Sequence, residues 1–106
     1  MVTRGDLPPG DQAAQLAHAA LDFAAAHPET VDRWRRTSNT VVLLAATDEL
    51  SLIRLNADAA ARDHRVVAVH EPDLDGSLTA VALEPAAGRL VRHLPLALAR
   101  RGEVNT

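Results

Sequence analysis

The residue types best suited to chemistry begin near the amino end of the chain. Asp11, Gln15, His18 and Asp22 follow one another at intervals of four, three and four residues, so a helix would carry them on one polar face. A solvated helix surface is the simplest explanation. As the wall of a site, the same face offers Gln15 as a hydrogen-bond donor and His18 as a proton carrier, beside the free amides of the helix start.

A second candidate lies in residues 70–79, where a histidine is followed by the carboxylates of Glu71, Asp73 and Asp75. Loops at strand ends often hold binding and catalytic groups. Pro72 interrupts the acids and no established metal-ligand spacing is present, so we expect no metal ion. The chain also has no nucleophile elbow, no phosphate-binding glycine loop with lysine and no dinucleotide fingerprint, so we expect no cofactor.

Composition restricts the class of protein to which these residues can belong. The 106 residues are 47% hydrophobic but only 2% aromatic, which predicts one domain, residues 1–106, with a tight aliphatic core. Cysteine is absent and all eleven basic residues are arginine, which excludes a thiol nucleophile and a catalytic lysine. No apolar run is long enough to cross a bilayer and no signal-peptide pattern is present, so we expect a cytoplasmic protein that binds no membrane.

The charge balance argues against tight general binding of nucleic acid, because the net charge is −3 and such binding rests on many basic contacts. The arginines are nevertheless clustered, at 33–36, 62–65, 89–92 and 100–101. Most such clusters are solvated helix faces, but they also predict weak, salt-dependent contact with RNA. Trp34, inside the first cluster, could stack on a base, although a packing role is commoner.

The elements that would position these residues alternate between strand and helix. A short strand is followed by a loop at 7–10, which two prolines should keep out of a helix. The unbroken apolar run 40–45 is typical of a strand covered on both faces, so we predict that it lies at the centre of the sheet. The other predicted strands are 2–4, 66–69, 77–83 and an edge strand at 94–98.

Helices are predicted between these strands, at 11–26, 28–36, 47–63 and, as a short helix or turn, 85–92. The first should bury its alanines, including Ala13 and Ala17, against the sheet. Pro28 suits the first position of the second helix, and Asp48 suits the cap of the third. The order favours a single α/β domain with helices on both faces of the sheet.

Several motifs resemble those of the type 2 peptidyl-tRNA hydrolases. Arg-Gly-Asp-Leu at 4–7, then Gly10, then Ala-Ala-Gln-Leu-Ala-His-Ala at 13–19, is similar to the family's opening, in which Arg-x-Asp-Leu leads to Gly-Lys-x-Ala-Ala-Gln-x-x-His-Ala. The strand from Gly76 to Pro85 resembles the family's Gly-x-x-Thr-x-x-x-Ile-Gly-Pro, and residues 93–96 resemble its closing His-Leu-Lys-Leu. The resemblance covers nearly the whole chain.

This resemblance implies a mixed four-stranded sheet with helices on both faces. It also implies hydrolysis of the ester that joins a peptidyl or N-blocked aminoacyl group to tRNA. By matching position, Gln15, His18 and Thr79 would belong to the catalytic site.

Two departures from the family pattern bear on activity. The family's lysine falls on Asp11, which reverses the charge at that place. The family's Asp-Ala-Gly-x-Thr loop is replaced by a shorter segment, in which we expect Glu71 and Asp73 to supply the acid. Asp11, Glu71 and Asp73 therefore join the predicted catalytic residues, and the pattern resembles a distinct bacterial-type subgroup.

Three functions remain open. The first is hydrolysis of the ester, and the second is acyl transfer or cyclisation, in which an amine of the substrate replaces water. The third is a catalytically silent tRNA- or protein-binding module, favoured by the missing lysine and the acidic balance. The expected partner is tRNA carrying an acyl or peptidyl group, bound weakly and in a salt-dependent way, and a homodimer is left open.

Overall fold

Four short strands build the sheet: β1 (Val2–Arg4), β2 (Leu44–Ala46), β3 (Val66–Glu71) and β4 (Ser77–Leu83). The helices are α1 (Pro9–Ala26), α2 (Pro28–Arg36) and α3 (Glu49–Ala61), with 3₁₀ helices at Pro72–Leu74 and Pro85–Leu90. A computed structural model describes residues 1–98. The strand order is β2-β1-β4-β3; β1 and β2 are parallel, and the other two pairs are antiparallel. The predicted mixed four-stranded sheet is confirmed.

The two faces of the sheet carry separate aliphatic cores. One core lies under α1 and consists of Ala19, Phe23, Val69, Ala80 and Ala82. The other lies under α3 and consists of Val2, Leu44, Ala46, Leu52, Leu78 and Val81. Successive side chains of a strand point to opposite faces, so β4 contributes Val81 to one core and Ala82 to the other. The expectation of helices on both faces is therefore confirmed.

The prediction that residues 40–45 form a central strand is wrong. Strand pairing begins at Leu44, and β2 lies at the edge of the sheet. Because β1 begins at Val2, which pairs with Leu44, the apolar run before Leu44 extends past the end of its partner strand. Val41 and Val42 are consequently 53% and 48% exposed. The apolar run correctly indicated a strand in this region, but it wrongly predicted that the residues before Leu44 are buried.

The outer side of β2 is covered by the segment that follows the second 3₁₀ helix. The amide of Ala45 donates to the carbonyl of Pro95 at 2.9 Å, and the amide of Ala97 donates to that of Leu43 at 2.8 Å. The edge strand expected at 94–98 is reduced to one bridge between Leu44 and Leu96. Pro95 cannot extend the ladder, because it has no N–H group.

Helix α1 begins earlier than its prolines suggested. Pro9 is the first residue, where a missing N–H breaks no helical hydrogen bond and the fixed φ angle suits the helix. The buried residues of α1 are Gln12, Leu16, Ala19 and Phe23. Ala13 and Ala17 are exposed, so the expected alanine face is wrong. Three larger side chains and Ala19 fill the space between α1 and the sheet.

Helix α3 is capped as expected. The Asp48 carboxylate accepts a hydrogen bond from the Ser51 amide at 2.9 Å, and this bond lowers the pKa of the Asp48 carboxyl. The helix ends at Ala61, slightly before the predicted residue 63. Across residues 1–98, no helix combines the length and apolar character needed to cross a membrane.

Candidate active site

An irregularity in the sheet sets the position of Thr79. Val69 on β3 pairs with Ala80 on β4, but the next residue, His70, pairs with Leu78. Thr79 is therefore an extra residue on β4, which makes a β-bulge. Bulges redirect side chains and are frequent next to active sites. Here the bulge turns both Thr79 and Ala80 toward α1, where a regular strand would present only one of them.

A series of hydrogen bonds joins Thr79 to α1 and to the end of β3. The Thr79 hydroxyl donates to Gln15 Oε1 at 2.7 Å, and Gln15 Nε2 donates to Glu71 Oε2 at 3.1 Å. Thr79 is completely buried, whereas Gln15 and Glu71 are half-buried. The Glu71 carboxylate fixes which way the Gln15 amide points, since the reversed amide would place its oxygen against a negative charge. The buried hydroxyl of Thr79 thus holds the Gln15 amide in place from the sheet side.

Both half-buried groups keep unused hydrogen-bonding capacity. Gln15 Nε2 carries two N–H groups, of which Glu71 accepts one. Glu71 Oε1 also accepts from the Asp73 amide at 3.2 Å, yet each carboxylate oxygen has two lone pairs. One donor and at least two acceptor positions therefore remain. The pair can hold a carbonyl oxygen at Gln15 and a water molecule at Glu71.

Two buried polar residues that sequence analysis did not single out support this arrangement. The Thr3 hydroxyl donates to the Thr79 carbonyl at 2.9 Å and so fixes the backbone of the bulge from β1. Gln12 donates to the Leu7 carbonyl at 2.8 Å and accepts from the Leu98 amide at 3.2 Å, tying α1 to two loops. The burial of Gln12 could have been predicted from its spacing with the apolar side chains on the buried face of α1. Thr3 could be assigned only once the strand order was known.

The other residues of the polar face of α1 lie apart from this series. His18 Nε2 is 3.5 Å from the Asp22 carboxylate, and its side chain is 52% exposed. Asp22 is its ion-pair partner within residues 1–98. Asp11 lies exposed in the first turn of α1. The amide of Gln12 donates to the Pro8 carbonyl at 2.9 Å, so the helix start offers the amides of Gly10 and Asp11 as its remaining donors.

Asp73 borders a different, polar pocket on the α3 face, together with Arg4, Glu49 and Ser77. The Arg4 guanidinium donates to both carboxylate oxygens of Asp6, at 3.0 and 2.8 Å, and lowers the pKa of the Asp6 carboxyl. Asp73 reaches the first site through its backbone amide, not its carboxylate. Within the part of the chain described, no group of three or more histidines and acids is placed to hold a metal ion.

Of the six predicted site residues, the structure thus brings three together, Gln15, Glu71 and Thr79. The side chains of the remaining three, Asp11, His18 and Asp73, lie outside their hydrogen-bond series. The sheet order, the bulge and the polar face of α1 describe an α/β domain with a series of hydrogen-bonded polar side chains between α1 and the sheet.

Comparison with protein-family models identifies the class of protein. The family model "Peptidyl-tRNA hydrolase PTH2" matches residues 1–98, which include all six predicted site residues. The chain belongs to the PTH2 family of peptidyl-tRNA hydrolases. A search of curated proteins found no significant match.

Proposed function

We propose that this protein hydrolyses the ester between a peptidyl or N-blocked aminoacyl group and tRNA. The observation that carries the proposal is the hydrogen-bond series from Thr79 through Gln15 to Glu71. It places an oriented amide donor beside a half-buried carboxylate, which are the two groups needed to hold an ester carbonyl and to activate water. Family membership supports the class of substrate.

In the proposed reaction, the free N–H of Gln15 donates to the ester carbonyl oxygen. Glu71 takes a proton from a water molecule, whose oxygen attacks the carbonyl carbon. The bond to the ribose oxygen of tRNA then breaks, and that oxygen receives the proton that Glu71 took from water. The products are the free acid and tRNA with a restored hydroxyl group. Thr79 is a positioning residue here, because its buried hydroxyl cannot meet the substrate.

The negative charge on the carbonyl oxygen is stabilised without a lysine. Gln15 is neutral, and the positive end of the α1 dipole adds the amides of Gly10 and Asp11. The negative charge of the Asp11 carboxylate competes with that of the carbonyl oxygen for the positive end of the α1 dipole. We propose that the exchange of lysine for Asp11, together with the shortened acidic loop, defines a distinct bacterial-type subgroup of the family.

The test is release of the acyl group from an N-blocked aminoacyl-tRNA. Glu71→Gln keeps the size of the side chain but removes the base, and should lower turnover by about 10²- to 10⁴-fold. The matched control is Glu29→Gln, an exposed acid on α2 that should leave the rate unchanged. Native turnover that survives Glu71→Gln would overturn the assignment of the base.

A silent binding module is the second candidate, favoured by the exposed Asp11 carboxylate at the helix start. It predicts that the native protein binds N-blocked aminoacyl-tRNA without releasing the acyl group. Transfer to an amine predicts release only when an amine is supplied. The same assay, run with and without a primary amine, therefore distinguishes hydrolysis, silent binding and acyl transfer.

A further inference from the structure

An apolar groove of 740 Å³ lies between α2, the exposed run before β2 and the segment after β4. Its lining includes Val31, Trp34, Val41, Val42, Val91 and Leu96. We call it the α2 groove. It is open to solvent, since Val41 is 53% exposed and Leu96 is 64% exposed.

The α2 groove is separate from the candidate active site. Gln15 contacts Glu71 at the end of β3, whereas the groove is lined by Ala24 on α1. Ala24 follows Gln15 by nine residues, which is about two and a half helical turns. At a rise of 1.5 Å per residue, Ala24 therefore lies roughly 13 Å from Gln15 along the helix axis.

Arginines without an acidic partner lie on the elements that form this groove. Residues 1–98 contain nine arginines, and four of them lie within 4.0 Å of a carboxylate: Arg4, Arg36, Arg62 and Arg65. The other five have no such partner among the described residues: Arg33, Arg35, Arg54, Arg89 and Arg92. Four of these five belong to α2 or to the segment 85–92, both of which contribute lining residues, and Arg92 itself lines the groove. Positive charge is thus concentrated beside the apolar surface of a net-acidic protein.

Trp34 is held as a wall of the groove. Its indole N–H donates to the Thr40 carbonyl at 2.8 Å, which satisfies its polar group and joins α2 to the run before β2. The half-buried ring retains an open side toward the groove. Arg33 and Arg35 precede and follow it, so each lies about 100° from Trp34 around the helix axis. An aromatic surface flanked by cations results.

We propose that the α2 groove binds an unpaired stretch of RNA, with a base stacked against Trp34 and phosphates contacted by Arg33, Arg35 and Arg92. Proteins that hold single-stranded RNA combine an aromatic or apolar platform for bases with basic side chains for the backbone. Both features meet here. The inference rests on the proposed function, which makes an RNA ester the substrate, and assigns that RNA a second contact away from the ester.

The test uses Trp34 as its own probe, because it is the single tryptophan of the chain. Titration with a single-stranded RNA oligonucleotide without an acyl group should change its fluorescence. The slope of log affinity against log salt should be roughly −2, at about −0.7 for each of three phosphate contacts. Arg33→Ala with Arg92→Ala should reduce the steepness of that slope by about 1.4 and weaken binding at least several-fold. Arg54→Ala, an unpaired arginine on α3, is the matched control and should bind as the native protein does.

Trp34→Leu, read by anisotropy of a labelled oligonucleotide, should weaken binding about tenfold, with folding checked by melting temperature. If the protein binds RNA in this way but has no hydrolase activity, RNA binding by the α2 groove is supported and the proposed function fails. If the protein is active but RNA does not change its Trp34 fluorescence, or the arginine variants bind like the native protein, the groove is not the RNA-binding site. Fluorescence that follows protein concentration instead would identify a second copy as its occupant and also overturn it.

Discussion

The candidate active site and the α2 groove lie at different positions along α1 and differ in how their polar groups are used. In the site, Thr79, Gln15 and Glu71 are bonded to one another, and only the spare donor and lone pairs face solvent. In the groove, the surface is mainly apolar; four arginines of α2 and segment 85–92 lack carboxylate partners among residues 1–98, and Arg36 pairs with Asp32. The site thus holds its side chains in a fixed arrangement, whereas the groove provides exposed apolar surface and positive charge for a ligand to contact.

This difference predicts that the site determines the rate of the chemical step and that the groove determines affinity for RNA. A group held on two sides can act on a reacting bond but adds little affinity, since its hydrogen bonds exist before the ligand arrives. Exposed apolar surface and unpaired cations gain contacts only upon binding. We therefore expect site variants to change the rate of chemistry and groove variants to change affinity.

After Glu71→Gln, the largest effect should come from Gln15→Leu. The variant removes the amide that holds the carbonyl oxygen, while the Thr79 hydroxyl can still donate to the Val69 carbonyl 3.2 Å away. Turnover should fall by about 10²- to 10³-fold, as for other single donors to an oxyanion. Affinity for RNA should stay within twofold of native, measured with the unacylated oligonucleotide. Equal losses of rate and affinity would abolish the distinction between the two regions.

Thr79→Val should have the next largest effect. It leaves Gln15 Oε1 without its buried donor, so the fold should lose about 1 to 3 kcal/mol and turnover should fall roughly tenfold. Thr79→Ser keeps the hydroxyl and should restore most of the turnover, although it removes a buried methyl group. Denaturant melts and acyl-release rates of both variants check this. A Ser variant as slow as the Val variant would mean that packing, not the hydroxyl, matters.

Asp11→Lys should raise tRNA affinity or turnover several-fold at low salt. The exposed carboxylate lies in the first turn of α1, where the helix dipole favours an anionic ligand. The gain should shrink at high salt, because exposed charges are screened over about 10 Å at 0.1 M. Asp11→Asn separates loss of the negative charge from gain of a positive one. If Asp11→Lys instead abolishes a robust native activity, Asp11 is itself catalytic.

The smallest effect concerns acid stability near the site. Arg4 lowers the pKa of Asp6 by hydrogen bonding and also donates to Ser77 at the start of β4. A depressed folded-state pKa stabilises the fold above about pH 4, and that contribution is lost as pH falls through the lower value. Asp6→Asn should therefore flatten the fall in melting temperature between about pH 4 and pH 2. An unchanged profile would show that the ion pair adds nothing, as for many exposed pairs.

The sequence predicted the elements well because each has a local cause. Asp48 caps α3 through its own side chain, and Pro28 begins α2. Burial was predicted less well because it depends on partners distant in sequence. Residues 40–43 have the composition of an interior strand, but the parallel β1 begins only at Val2, opposite Leu44, and has no residues to pair with them. That mismatch also exposes the valines that line the α2 groove.

The candidate site divides in the same way. The spacing on α1 singled out Gln15, and the family pattern singled out Thr79. Their contact depends on the bulge at Thr79, and a bulge breaks the alternation from which strand faces are read. Thr3 looked like an ordinary strand residue until β1 was placed beside β4.

The most direct test of the account is the single-turnover rate of acyl release, measured against protein concentration, from an N-blocked aminoacyl-tRNA. For Glu71→Gln, we predict a plateau rate at least about 100-fold below native with the half-saturating concentration unchanged. For Arg33→Ala with Arg92→Ala, we predict a native plateau with the half-saturating concentration raised several-fold. A lower plateau for the arginine variant, or a native plateau for Glu71→Gln, would contradict the separation of chemistry from RNA binding.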